Sequence, residues 1–246
     1  MSDHCLLAIP VFNEERYLNG VLHQARKYVR EILVIDDGST DATPELLTRH
    51  RDVHVLTHAE NRGYGKSLAD AFSFARRRGY EWLITMDCDE QHEPAFIPRF
   101  LEATRADNAD IISGTRYPRG FVHGAAPADR REINRVITEM INQRLGLSLT
   151  DSFCGFKAYR VSALRHLCID VPGYAMPMQF WAQAAQAGLR IVELPIRLIY
   201  NDPNRHFGGL LDDPAARLRH YVDVFEAEMN RAPAIPCDAR FLSCLS

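Results

Sequence analysis

The sequence predicts an α/β fold: one mostly parallel sheet with helices on both faces, forming a single domain over residues 1–246. Two observations carry this prediction. Short apolar runs alternate four times with segments of helical periodicity, the signature of strand and crossover helix. Each acid-rich or glycine-rich turn in that stretch also follows directly on an apolar run, where open parallel sheets place their ligand sites. No internal repeat, low-complexity linker or composition break divides the chain, and 46% apolar residues suffice for one large core.

In chain order, "CLLAIPV" from residue 5 is a short apolar run suited to a buried strand. "NEERYLNGVLHQARKYV" follows, with Leu18, Val21, Leu22, Ala25 and Val29 at helical spacing. "EILVIDDGS" gives a second strand, "DATPELLTRH" a helix start with Pro44 near its first turn, and "VHVLTH" a third strand. "NRGYGKSLADAFSFARRRG" is a loop feeding a helix that closes at Gly79, and "YEWLITMD" is the fourth strand. "DIISGTRY" reads as a fifth. Beyond the loop "PRGFVHGAAPADR" come helices over Arg130 to Leu145 and over "MPMQFWAQAAQAG", the strand-like "LRIVELPIRLIY", and a last helix from Asp213 to about Arg231.

Composition excludes several classes. A net charge of −3 and a pI near 6.4 argue against general affinity for nucleic acid. Cys5, Cys88, Cys154, Cys168, Cys237 and Cys244 show neither CxxC nor zinc-like spacing, and no signal peptide is evident, so reduced thiols in a cytoplasmic protein are expected. No window approaches the ~20 apolar residues of a membrane span, which limits membrane contact to the periphery.

The fourth strand runs straight into Asp87, Asp89, Glu90 and Glu93. Asp87 and Asp89 are two apart, so they share one face if the backbone stays extended. Paired carboxylates repel unless a cation lies between them, and hard oxygen ligands of this kind suit Mg²⁺ or Mn²⁺, ions that complete their shells with phosphates and water. Two acids two apart also occur by chance, and a solvated turn capping the next helix is the bland alternative. Context favours the site. In "VIDDGSTDAT", Asp36 or Asp37 can accept hydrogen bonds from a ribose or a base edge, and Gly38 permits a left-handed turn. The alternative for Asp37, Ser39 and Asp41 is a role as turn formers and caps only, and for Ser39 and Asp41 the two readings weigh equally. In "AIPVFNEE", Glu14 opens a helix at the first strand end.

"AIPVFNEE", "VIDDGSTDAT", "NRGYGKSLADAF", "MDCDEQHEP", "SGTRY" and "DSFCGFKAYR", in that order over about residues 5 to 200, resemble family 2 glycosyltransferases of the Rossmann-like GT-A fold. The polyprenyl or dolichyl phosphate mannosyl- and glucosyltransferase branch matches best. The resemblance implies a nucleotide-sugar-binding half over 5–117 and an acceptor-side half over 118–246. Pro10, Phe12, Glu14, Asp36 and Asp37 would line the nucleoside pocket, and Asp87 and Asp89 would be the DxD pair at donor and metal. Gln91 matches a position that helps hold the metal, Mg²⁺ or Mn²⁺, and Arg116 one near the donor phosphates. The implied reaction is inverting transfer from a donor of GDP-mannose or UDP-glucose type.

The acceptor decides whether a base is needed. A lipid phosphate is largely ionised at neutral pH, its second pKa being about 6, whereas a hydroxyl must lose its proton during attack. Asp151 is the candidate base for a hydroxyl acceptor; its alternative role is an N-cap or a ligand for backbone amides of the "CGF" turn. For a polyprenyl phosphate, Arg130 and Arg131 are candidate cations at the head of their helix, and Arg205 stands where the branch shows an arginine, although the Ser-Lys pair that follows there is absent. The helix stripe Ile133, Val136, Ile137, Met140 and Ile141 is expected in the core in preference to lipid. An enzyme with a lipid acceptor would dock peripherally at the membrane.

Several readings compete. "NRGYGKS" ends like a P-loop, but the glycine required five residues before Gly65 is Glu60. Gly63 and Gly65 instead suit close backbone approach, and Lys66 a solvated helix position. His92 is expected in a turn or behind the ligands, Cys88 in packing, and Trp181 with Met176, Met178 and Phe180 either in the core or around an acceptor. A transferase for soluble or glycan hydroxyls keeps the same site. A sugar nucleotidyltransferase would need a Gly-rich, Arg/Lys-containing signature where "PVFNEE" stands, and a silent binding subunit would not need an intact acid pair.

Overall fold

Side chains alternate across a strand, so a central strand of a covered sheet is apolar on both faces. Leu6, Leu7, Ala8 and Ile9 meet that condition and are all fully buried. In the computed structural model, which describes residues 4–89, 92–119, 127–197, 199 and 209–231, they belong to β1 (Cys5–Val11). β1 is joined in one sheet by β2 (Glu31–Asp36), β3 (His54–Thr57), β4 (Trp82–Thr85), β5 (Ile111–Thr115), β6 (Lys157–Arg160) and β7 (Ile191–Pro195), in the order β3-β2-β1-β4-β6-β5-β7. β1 pairs in parallel with β2 and β4, β2 with β3, and β5 with β7.

β6 is the departure from expectation. It lies antiparallel between β4 and β5, with Lys157 opposite both Thr85 and Ser113. The strand is only four residues long and mixes Lys157 and Arg160 with apolar residues, so its sequence carries no strand periodicity.

Two cores follow from the two faces. Leu6, Ala8, Leu33 and Ile35 pack against α3 (Tyr64–Arg78), α5 (Ala128–Leu145), α6 (Met176–Gln186) and α7 (Pro214–Met229). Leu7, Ile9, Val34 and Ile84 pack against α1 (Leu18–Ala25), α2 (Thr43–Thr48) and α4 (Ile97–Arg105). Ile133, Ile137 and Ile141 of α5 are buried in the first core, with Val136 and Met140 half-buried, so this stripe is a core face. Trp181, Phe180, Met178 and Met176 lie in the same core. α3 closes on Gly79 in the left-handed region, as expected. Among the described residues no helix is long and apolar enough to cross a membrane.

Candidate active site at the strand ends

β2, β1 and β4 run side by side in parallel, and β3 and β2 return to one side of β1 while β4 lies on the other. The boundary between β1 and β4 is therefore the switch point of the sheet, where the carboxyl ends of the strands splay into a crevice. Residues 10–14, 36–39 and 86–89 emerge on that edge.

The β1 and β2 ends are stitched together. Asn13, in the left-handed region, donates its backbone N–H to Ser39 Oγ (2.9 Å), and its Oδ1 accepts from Thr40 N–H (2.8 Å). Glu14 N–H donates to Thr43 Oγ1 (2.9 Å) and Glu15 N–H to Asp41 Oδ2 (3.0 Å). Ser39 and Asp41 thus act as turn formers, one of the two roles the sequence leaves open for them. Pro10 is half-buried, Glu14 buried and Phe12 exposed along this rim.

Asp36 and Asp37 differ sharply. Asp37 accepts from the His58 ring Nδ1 (2.6 Å), Arg62 N–H (2.8 Å) and Gly63 N–H (2.8 Å), and its side chain fastens the loop before α3. Asp36 Oδ1 takes the Ser39 N–H (3.0 Å), while its Oδ2 is buried without a hydrogen-bond partner. A buried carboxylate oxygen left in that state calls for an external donor, such as a ribose hydroxyl or a base N–H.

At β4 the last strand-like bond runs from Met86 N–H to Ala8 O (3.1 Å), and the chain then bends at 88–89. The Asp87 side chain is 32% exposed, and its Oδ1 accepts from Tyr64 Oη (3.1 Å). Asp89 is buried. Asp87 N–H donates to His92 Nδ1 (3.2 Å), so His92 sits behind the acids; burial, despite nearby Asp89, pushes its pKa down to about 4 and keeps the ring neutral. Cys88 is buried packing. Gln91 lies outside the described residues, as does Arg205. Among the described residues no three His, Cys, Asp or Glu side chains form a metal cage. One or two carboxylates completed by phosphate and water are the usual donor set for Mg²⁺, and Asp87 with Asp89 fit it.

The surroundings of Asp151 bear on the two roles the sequence leaves open for it. It is fully buried and accepts from Arg116 Nε (2.7 Å), Nη2 (2.9 Å) and N–H (3.1 Å), from Asn134 Nδ2 (2.8 Å) and from Phe153 N–H (3.1 Å). Burial alone would raise its pKa, but Arg116 and these donors outweigh it and hold the carboxyl down at about 2. Five donors and no exposure suit an anion that organises the "DSFCGF" turn; they do not suit a base that meets a hydroxyl. Arg116 keeps 18% side-chain exposure while paired with Asp151, which pushes its pKa up despite burial. Arg130 and Arg131 occupy the first turn of α5, one turn before Asn134, and so lie on the face that carries the Asp151 contact.

Three residues of the site lie within the motif blocks quoted above but have no role assigned by the sequence. Tyr64 touches Asp87, Gly155 lies under it, and Lys157 is a buried lysine whose Nζ donates to Cys154 O. Lys66, expected in solvent, is ion-paired with Asp70, which in turn accepts from His58 Nε2 (2.8 Å). Gly63 and Gly65 do permit close approach: a Cβ on either would strike the Pro172 or Val171 carbonyl.

The sequence profile of the glycosyl transferase family 2 matches residues 7–168, well over half of the chain. The chain belongs to glycosyltransferase family 2. This transferase is 33% identical over 227 residues to an undecaprenyl-phosphate mannosyltransferase from Micrococcus luteus, covering 88% of this chain and 93% of the relative. It is 33% identical to a polyprenol monophosphomannose synthase from Mycolicibacterium smegmatis, covering 79% and 77% of the two chains. Its fold matches glucosyl-3-phosphoglycerate synthase from Mycobacterium tuberculosis, solved with Mn²⁺, uridine diphosphate and phosphoglyceric acid, at a TM-score of 0.70 and 18% identity over 94% and 80% of the chains. The same synthase solved with Mg²⁺ and uridine diphosphate gives a TM-score of 0.68, at 20% identity over 92% and 79% of the chains. The glycosyltransferase is of GT-A fold, and its kinship lies with the polyprenyl phosphate mannosyltransferase branch.

Proposed function

We propose that this glycosyltransferase moves mannose from GDP-mannose to a polyprenyl phosphate, with inversion at the anomeric carbon and dependence on Mg²⁺ or Mn²⁺. The observation that carries the acceptor class is the state of Asp151. A hydroxyl acceptor needs a base, and the carboxylate best placed in sequence to be one is enclosed and held ionised by Arg116. A phosphate monoester arrives already charged and needs none. Its charge requires cations, and Arg130 and Arg131 at the head of α5 supply them, helped by the positive end of that helix. The similarity to two polyprenyl-linked mannosyltransferases supports the same acceptor.

On the donor side, Asp36 offers its unpartnered oxygen to the nucleoside, and Phe12, Pro10 and Glu14 form the adjoining rim. Asp87 and Asp89 would hold the divalent ion, which when bound neutralises the charge left on the departing diphosphate. Arg116, fixed in place by Asp151, adds a preorganised cation nearby. Lacking a covalent nucleophile in this scheme, the reaction is a single displacement, and the product is β-linked. The enzyme meets its lipid acceptor as a peripheral protein at the cytoplasmic face.

The test is transfer of labelled mannose from GDP-mannose to undecaprenyl phosphate in detergent, against UDP-glucose as donor and phosphoglyceric acid or free sugars as acceptors. Mannolipid formed with Mn²⁺ and lost with EDTA is expected. Transfer only to a hydroxyl acceptor, or undiminished transfer in EDTA, would refute the proposal.

A further inference from the structure

The Asp87 carboxylate rests on a built seat. Tyr64 Oη donates to its Oδ1 (3.1 Å), and the Tyr64 ring stacks on Tyr174 with centroids 6.0 Å apart and planes 16° from parallel. Gly155 lies directly beneath: a Cβ there would stand 2.5 and 2.7 Å from the two Asp87 oxygens and 2.8 Å from Tyr64 Oη. A side chain there would push the Asp87 carboxylate or the Tyr64 hydroxyl out of its present position. The turn carrying Gly155 is pinned at two successive carbonyls, Gly155 O by Thr85 Oγ1 (2.7 Å) and Cys154 O by Lys157 Nζ. Tyr64 is fixed in turn, because Lys66 N–H donates to Pro172 O (3.0 Å) and Gly63 and Gly65 let the 171–173 backbone close onto the start of α3.

The terminal torsion of an aspartate is broad and two-fold, so a carboxylate without such restraint swings at little cost. A ligand that must first be oriented binds its ion more weakly, which is why partners behind the ligands matter to metal affinity. We infer that Tyr64 is a positioning residue: its hydroxyl, with the space left by Gly155, sets the Asp87 carboxylate in the orientation that ligates the divalent cation. This rests on the metal role proposed above for Asp87. Neither the DxD pattern nor the family match assigns anything to Tyr64.

The experiment compares the full chain with Tyr64→Phe, which keeps the ring and removes only the hydroxyl. Unbound Mn²⁺ is followed by electron paramagnetic resonance during titration in the presence of GDP, and separately of UDP. Tyr64→Phe is expected to bind Mn²⁺ about tenfold more weakly, with the melting temperature of the metal-free protein unchanged and transfer restored by raising Mn²⁺. A purely structural tyrosine would not show that restoration. Gly155→Ala keeps the hydroxyl but crowds the carboxylate, and is expected to weaken Mn²⁺ by the same route. Native-like Mn²⁺ affinity in Tyr64→Phe, or a loss of transfer that Mn²⁺ cannot restore, overturns the inference while leaving the metal site standing. Failure of the unaltered protein to bind Mn²⁺ with either nucleotide overturns the metal site and this inference together.

Discussion

The turns after β2 and β4 look alike in sequence, each an apolar strand ending in two acids, yet they do opposite work. After β2, Asp37 is consumed by His58 and two backbone N–H groups, and only Asp36 keeps a buried oxygen for an outside donor. After β4, the Asp87 side chain stays 32% exposed and is steadied at one oxygen by a tyrosine. Asp151, further along, is the extreme of the first kind, enclosed by five donors. The partners that distinguish these acids come from distant segments and not from the local sequence around each strand end.

The largest effect that would sharpen this contrast is expected from Asp89→Ala. Transfer should fall about a hundredfold or more, with Mn²⁺ and GDP affinity lost and the fold retained; steady-state transfer with circular dichroism checks it, and full metal-dependent turnover would break the assignment. Asp151→Asn leaves the half-buried Arg116 beside a neutral partner, and since breaking a fully buried pair costs about 3–5 kcal/mol, the loss here is at most about that. Urea unfolding should register that loss, whereas a catalytic base would lose activity at unchanged stability.

A third effect is set by His92. Its ring is neutral in the folded protein, with a pKa of about 4 against an ordinary 6.5, so the unfolded chain takes up the proton first. Stability is fully present above pH 6.5, falls as pH drops toward 4, and loses about 3 kcal/mol across that window. Melting temperature against pH should show the slope, and His92→Asn should flatten it. The smallest effect separates the neighbours at β2: Asp37→Asn should cost about 1–3 kcal/mol of stability, while Asp36→Asn should leave stability nearly unchanged and weaken GDP binding. Reversal of that pair would break the distinction drawn between them.

Six of the seven strands, and the helices other than α4, were legible because their apolar periodicity is local. β6 was not, since its burial of Lys157 runs against the ordinary exposure of lysine and its partners are β4 and β5, far away in the chain. The acid pair at 87 and 89 announced itself by spacing. What separated Asp36 from Asp37 lies 21 to 26 residues later, at His58, Arg62 and Gly63. What encloses Asp151 lies in part 35 residues earlier, at Arg116. Gly155 gave no hint that its missing side chain makes room for Asp87, because close approach between distant segments leaves no local pattern.

The most direct test of the divalent ion at the β4 end is anomalous diffraction from crystals soaked with Mn²⁺ and GDP. A manganese peak between the carboxylates of Asp87 and Asp89 and the diphosphate is expected. GDP bound with no manganese beside those two acids would contradict it.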